Sequence, residues 1–299
     1  MLSKFTAIKN SLSQRWTRLR DEHAWLDHAV RAWTALTERN GNAYAAAVTY
    51  FSFLALFPLI LLAVAITGFV LHAHPAAQQS LFDHITKNVP GTLGKTLHDS
   101  IKTAIKARTG VGIIGLLGVL VTGLGWVGNL RTAIDGVWGR PPPRRNFFAA
   151  KWQNLLVLVG LGLGILISLG LTVLGTALTD RILSGLGLDH VTGAGTLVRV
   201  LGILLAMAGD MLIFWWLLVR LPQAEVPRRL GIRAAILAAV GVEILKVVGT
   251  YTIALSAQSP TAGPFAGLLA VLIWIQLVSR YLLYCVAWTA TADGSTVPS

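Results

Sequence analysis

The chain has 299 residues, of which 54% are hydrophobic and only 13% charged, against the roughly 25% charged residues of a soluble protein. The apolar surplus falls in long blocks, which excludes an ordinary soluble globule. The net charge of +12 sits between those blocks, so it argues for orientation in a membrane and against a nucleic-acid-binding face.

Residues 1–40 form an N-terminal arm. Phe5, Ile8, Leu12, Trp16 and Leu19 recur at helical spacing with Lys9, Arg15, Arg18 and Arg20 between them, and Trp25 and Trp33 follow. Without an apolar core segment this is not a signal peptide. It reads as a cytoplasmic amphipathic helix, and two placements satisfy the pattern equally: flat on the membrane surface, or packed against the ends of the spans.

Residues 41–292 form one membrane domain with six apolar stretches: Tyr44–Leu71, Val111–Leu130, Leu155–Thr179, Val200–Val219, Ala234–Ala257 and Pro264–Thr291. Each reaches the roughly 20 residues a helix needs to cross about 30 Å of hydrocarbon. The first three carry no charge at all. The fold class expected is therefore an all-α membrane protein of six transmembrane helices, with residues 293–299 as a short tail.

Between the first two spans, Leu81, Ile85, Val89, Leu93, Leu97, Ile101 and Ile105 recur every four residues, an apolar helical stripe. Pro90-Gly91 is expected to divide it into a hairpin of two short helices. Capping the end of the bundle suits such a stripe best. Pro58 marks a kink in span one, and Pro260 and Pro264 a tight turn before span six. The glycines of span two (Gly112, Gly115, Gly118, Gly123, Gly125, Gly128) and of span three (Gly160, Gly162, Gly164) predict close helix contacts. Whether those contacts lie within one chain or in a homo-oligomer is open.

Orientation follows from basic residues. If odd-numbered junctions are cytoplasmic, that side holds sixteen Lys and Arg and the other seven. The positive-inside rule then puts both termini in the cytoplasm and the hairpin outside, with anionic lipid headgroups as natural partners.

Charges within spans are the strongest functional candidates, because placing one in hydrocarbon costs several kcal/mol. They are Asp210, Glu243, Lys246 and Arg280, all expected roughly 12–21 Å from the cytoplasmic ends. Glu243 and Lys246 share a helix face and are expected to pair. Asp210 and Arg280 are the natural second pair, with Gln276 one turn from Arg280. Such a layer either lines a water-accessible cavity or compensates itself as glue. The single Cys285 allows no intrachain disulfide and reads as apolar filler.

Soluble-enzyme signals are absent. Gly94-Lys95-Thr96 lacks the first glycine of a phosphate loop, and His72, His74, His84 and His98 match no zinc spacing. No cofactor and no metal are expected.

The run Asn42-Ala43-Tyr44-Ala45-Ala46-Ala47-Val48-Thr49-Tyr50-Phe51-Ser52-Phe53-Leu54-Ala55-Leu56-Phe57-Pro58 resembles the first span of the YihY/BrkB family. Arg131 with Ile134 and Val137-Trp138-Gly139, Leu221-Pro222 before a basic run, and Ser259-Pro260-Thr261-Ala262-Gly263-Pro264-Phe265 before Trp274 extend the likeness to its YhjD-like branch. Cys285-Val286-Ala287-Trp288 departs from the Gly-Ala-Glu that often closes the family's last span. The resemblance implies a six-helix bacterial inner-membrane protein and a role in moving an amphipathic envelope molecule. Tyr50, Ser52 and Pro58 would take the positions of the family's signature. On that expectation the substrate path would use Asp210, Glu243, Lys246, Arg280, Gln276, Arg131, Tyr50 and Ser52, with the two arginines attracting headgroup charge. A membrane scaffold without transport is the alternative. A ribonuclease or other enzyme fits worst, since metal-dependent nucleases need carboxylates gathered around divalent ions.

Overall fold

The computed structural model describes residues 20, 22–88, 92–141, 146–164, 166, 207–219, 221–222, 226–256 and 263–292. All their regular structure is helical: α1 (Ala24–Glu38), α2 (Gly41–Ala73), α3 (Pro75–Asn88), α4 (Thr92–Val137), α5 (Phe147–Gly164), α6 (Met207–Val219), α7 (Arg228–Ser256) and α8 (Gly263–Ala290). Four described segments are long and apolar enough to cross a bilayer: Gly41–Ala73, His98–Val137, Phe147–Gly164 and Phe265–Ala290. The amphipathic stripe of residues 5–19, the second half of span three, the start of span four and the turn at Pro260 lie outside the described residues.

The hairpin departs from expectation. Its first arm is a separate helix, α3, but the second does not end before span two. Instead α4 runs unbroken for 46 residues from Thr92 to Val137. Nothing in that stretch removes a backbone donor, and glycines such as Gly110 weaken a helix without stopping it. The hairpin closes on itself through Phe82 and His98, whose rings are 4.2 Å apart. It meets the end of α2 where Arg108 lies over Phe69.

The glycine prediction holds within the chain for span two and for Gly160, while a Cβ on Gly162 would meet nothing within 4 Å and one on Gly164 only the Ile213 side chain at 4.0 Å. Along α4, a Cβ on Gly115 would come within 2.8 Å of the Leu62 backbone, and one on Gly118 within 2.7 Å of the Pro58 ring. Gly125 faces Phe51 and Gly136 faces the Tyr44 ring. These bare positions let α2 and α4 approach more closely than side chains allow. Trp126 Nε1 donates to Ser52 Oγ at 2.8 Å, tying the two helices together. The helix ends where Gly139, at φ 70°, turns the chain left-handed. The amides of Gly139 and Arg140 then reach back to the carbonyls of Gly136 and Asp135.

The core is gathered at one end of the bundle. Leu36 of α1, Val127, Leu130, Ile134 and Val137 of α4, Leu218 of α6, and Leu283 and Val286 of α8 are all but fully buried. The α1 helix is part of this core, so the packed placement of the arm is the one realised over Ala24–Glu38. His28 Nε2 lies 2.9 Å from the Trp288 carbonyl and its ring stacks on Trp288. Arg39 donates to the Val137 carbonyl at the C-terminus of α4, where a cation is favoured. Away from this end the helices present Ile60, Ile66, Val70, Ile113, Leu117, Val121 and Ile273 outward, as surfaces bathed in lipid do.

Candidate functional site

The expected polar layer splits into separate clusters. Lys246 Nζ lies 2.5 Å from Asp210 Oδ2 and 3.0 Å from Glu243 Oε1. The Glu243–Lys246 pair is therefore formed, as three-residue spacing on α7 dictates. Asp210 pairs with Lys246 and not with Arg280, which corrects the second pairing. The physical reason is helical phase. Lys246 faces α6, while Leu245, about 100° away around α7, lies on the side of Arg280.

Arg280 belongs to a different place, a groove of about 620 Å³ between α1, α7 and α8. Ala29, Val30, Leu245 and Leu277 give it apolar walls, and Trp33, Tyr281 and Tyr284 line the rest. The guanidinium carbon sits 4.6 Å from the centre of the Trp33 ring. Arg280 Nε is buried without a hydrogen-bond partner, and no ion pair to Arg280 occurs among the described residues. A charge at the middle of a helix in hydrocarbon costs about 3 kcal/mol, and a cation–π contact returns about 0.5–2 kcal/mol of it. The arginine is only partly compensated.

Both tyrosine hydroxyls are occupied by backbone. Tyr281 donates to the Leu237 carbonyl at 2.6 Å and Tyr284 to the Ala29 carbonyl at 3.3 Å. Trp274 Nε1 similarly donates to the Leu245 carbonyl at 2.7 Å. On α7 the acceptor lies four residues before a glycine in both cases, Leu237 before Gly241 and Leu245 before Gly249. A side chain leans over the turn preceding its own Cα, so a bare glycine uncovers the carbonyl to a second donor. The aromatic rings occupy the space a Cβ would need, 2.1 Å from the Tyr281 ring at Gly241 and 2.3 Å from Trp274 at Gly249.

The other expected residues are dispersed. Gln276 Oε1 accepts from the Thr49 hydroxyl at 2.8 Å, linking α8 to α2. Ser52 accepts from Trp126 and donates to the Val48 carbonyl of its own helix. Tyr50 points away from the bundle, 60% exposed. Arg131 is engaged at the packed end of α4.

Sequence reasoning missed Asp135, which is 1% exposed and has partners. It lay beyond the last uncharged residue of span two. The signal that α4 continues was Gly139, a helix terminator one turn further on. It also missed Trp33 as the neighbour of Arg280. Among the described residues no three metal-binding side chains come together.

Comparison with known proteins gives the family. The profile of the family described as Virulence factor BrkB matches residues 32–298. The chain is 35% identical to Inner membrane protein YhjD of Escherichia coli over 91% of its own length and 82% of that protein's. It is 33% identical to an uncharacterized protein of Dickeya dadantii, over 90% of this chain and 84% of that one. It is also 27% identical to a UPF0761 membrane protein of Teredinibacter turnerae, over 82% of this chain and 55% of that one. No solved structure matches it significantly. With apolar helices that expose their large side chains and a profile match over most of its length, the chain belongs to the BrkB family of multi-pass, integral inner-membrane proteins.

Proposed function

We propose that this protein is a non-enzymatic transporter or flippase of an amphipathic, anionic envelope molecule. It would cross the membrane six times with both termini in the cytoplasm and the amphipathic hairpin outside. The orientation rests on the sixteen-to-seven distribution of basic residues. The observation that carries the transport reading is the exposure of the charged triad. Asp210, Glu243 and Lys246 keep 23, 30 and 44% of their side-chain surface open rather than sealed between helices. Ionised groups at this depth belong beside water or a polar substrate, and the net charge of −1 left by two carboxylates on one ammonium assigns an anionic head to Arg280 and not to the triad.

The test is flux of fluorescent anionic lipid analogues across proteoliposomes containing the full chain. Glu243→Gln is expected to abolish flux while the protein still inserts and stays monodisperse. Wild-type protein giving no more flux than empty vesicles, with any anionic amphiphile tried, removes the proposal. A scaffold is the second reading, favoured by the direct pairing of Lys246 with both carboxylates. It expects Glu243→Gln to lower the melting temperature with flux blank throughout.

A further inference from the structure

We infer that the groove between α1, α7 and α8 is a binding site for an anionic amphiphile, whose single charged group pairs with Arg280 and whose alkyl portion lies against Val30, Leu245 and Leu277. This deepens the proposed function by giving its substrate class a location, yet binding here does not require transport.

The charge balance points to an anion. Lys246 answers to two carboxylates, but among the described residues Arg280 has only the Trp33 face, and its Nε is buried without a partner. A planar guanidinium offers parallel donors suited to a phosphate or carboxylate. The walls point to alkyl chain, since four of the eight lining residues are aliphatic. The tyrosines narrow the headgroup. Their hydroxyl protons are committed to the Leu237 and Ala29 carbonyls, which leaves the Arg280 guanidinium and the Trp33 indole N–H as the donors of the lining. The site therefore selects a compact anionic head, a phosphodiester or a carboxylate. Because α1 supplies Trp33, Val30 and Ala29, the N-terminal arm is part of the site and not merely an anchor.

Melting curves and native mass spectra of the full chain in a neutral detergent test this. The additions are phosphatidylglycerol, phosphatidylcholine with the same acyl chains, and glycerol phosphate as the head alone. Phosphatidylglycerol should raise the melting temperature and appear as a bound adduct, whereas the other two should do neither. Arg280→Gln should weaken that binding roughly tenfold or more, the effect of losing a charge-assisted hydrogen bond. Leu277→Trp, which fills the groove with the charge left in place, should do the same and stands in if Arg280→Gln does not fold.

An unchanged phosphatidylglycerol response in Arg280→Gln or Leu277→Trp overturns the site. An equal response to phosphatidylcholine does so too, and a full response to glycerol phosphate would reveal a free-anion site instead. Arginine-dependent binding without flux leaves the groove standing and removes the transporter. Flux without such binding does the reverse.

Discussion

The protein treats two cations, Lys246 on α7 and Arg280 on α8, in opposite ways. Lys246 is held by two carboxylates, one from its own helix and one from α6. Arg280 is held by an aromatic face and, among the described residues, by nothing of opposite charge. An ion cluster whose charges answer one another can serve as structure without help, whereas the half-compensated arginine in its apolar groove is where we place an anion. The ionic cluster forms from groups within reach on adjoining helices. The groove needs the N-terminal arm to fold back onto α8 before it exists.

The contrast breaks first at Lys246. Lys246→Ala strands two carboxylates and is expected to cost roughly 3 kcal/mol, seen as a lower melting temperature in detergent. Arg280→Gln under the same conditions, without anionic lipid, should leave the melting temperature level or raise it. A similar loss in both variants would erase the distinction.

Next in size are the glycines that let the aromatics in. Gly241→Ala places a methyl where the Tyr281 ring lies, and overpacking of this kind costs about 1–3 kcal/mol. The ring would shift out of the groove, so this variant should also lose its phosphatidylglycerol response. Tyr281→Phe keeps the ring and removes only the bond to the Leu237 carbonyl. Its expected cost is about 1 kcal/mol, with lipid binding retained.

The smallest effect concerns the local structure of the arm around α1, since Arg20, Asp27 and Arg31 all lie within it. The Arg20 guanidinium, which is hydrogen-bonded to Asp27, together with Arg31, holds the Asp27 carboxyl below its ordinary value of 3.8. A depressed carboxylate stabilises the fold above its unfolded pKa and loses that contribution as pH falls through the folded value. Loosening of that local structure, followed by proteolysis within residues 20–40, should therefore be unchanged from neutral pH to about 5. It should increase only below 3.8, and Asp27→Asn should remove that acid dependence.

The membrane helices were legible in the chain because the signal is local. A run such as Tyr44–Leu71 has no other stable home than lipid, and glycines spaced along α4 announce a close neighbour whichever helix it proves to be. The Glu243–Lys246 pair was legible for the same reason, since three residues of one helix fix the geometry. Asp210 was read as a partner for Arg280 because charge sign alone cannot give helical phase. The end of α4 was placed too early, at Leu130, because hydropathy falls at Arg131 while the hydrogen-bonded helix continues to the terminator at Gly139.

By itself, then, the sequence determined the class of solvent, the apolar stretches, the family and the Glu243–Lys246 pair, all properties of short windows. The tertiary structure alone decided that Ser52 and Gln276 serve as interhelical ties. It also turned Tyr50 outward and closed a groove around Arg280 with Trp33. Those outcomes depend on which faces meet between residues far apart in the chain, 74 and 227 positions for the two ties, and helix packing, not hydropathy, sets them.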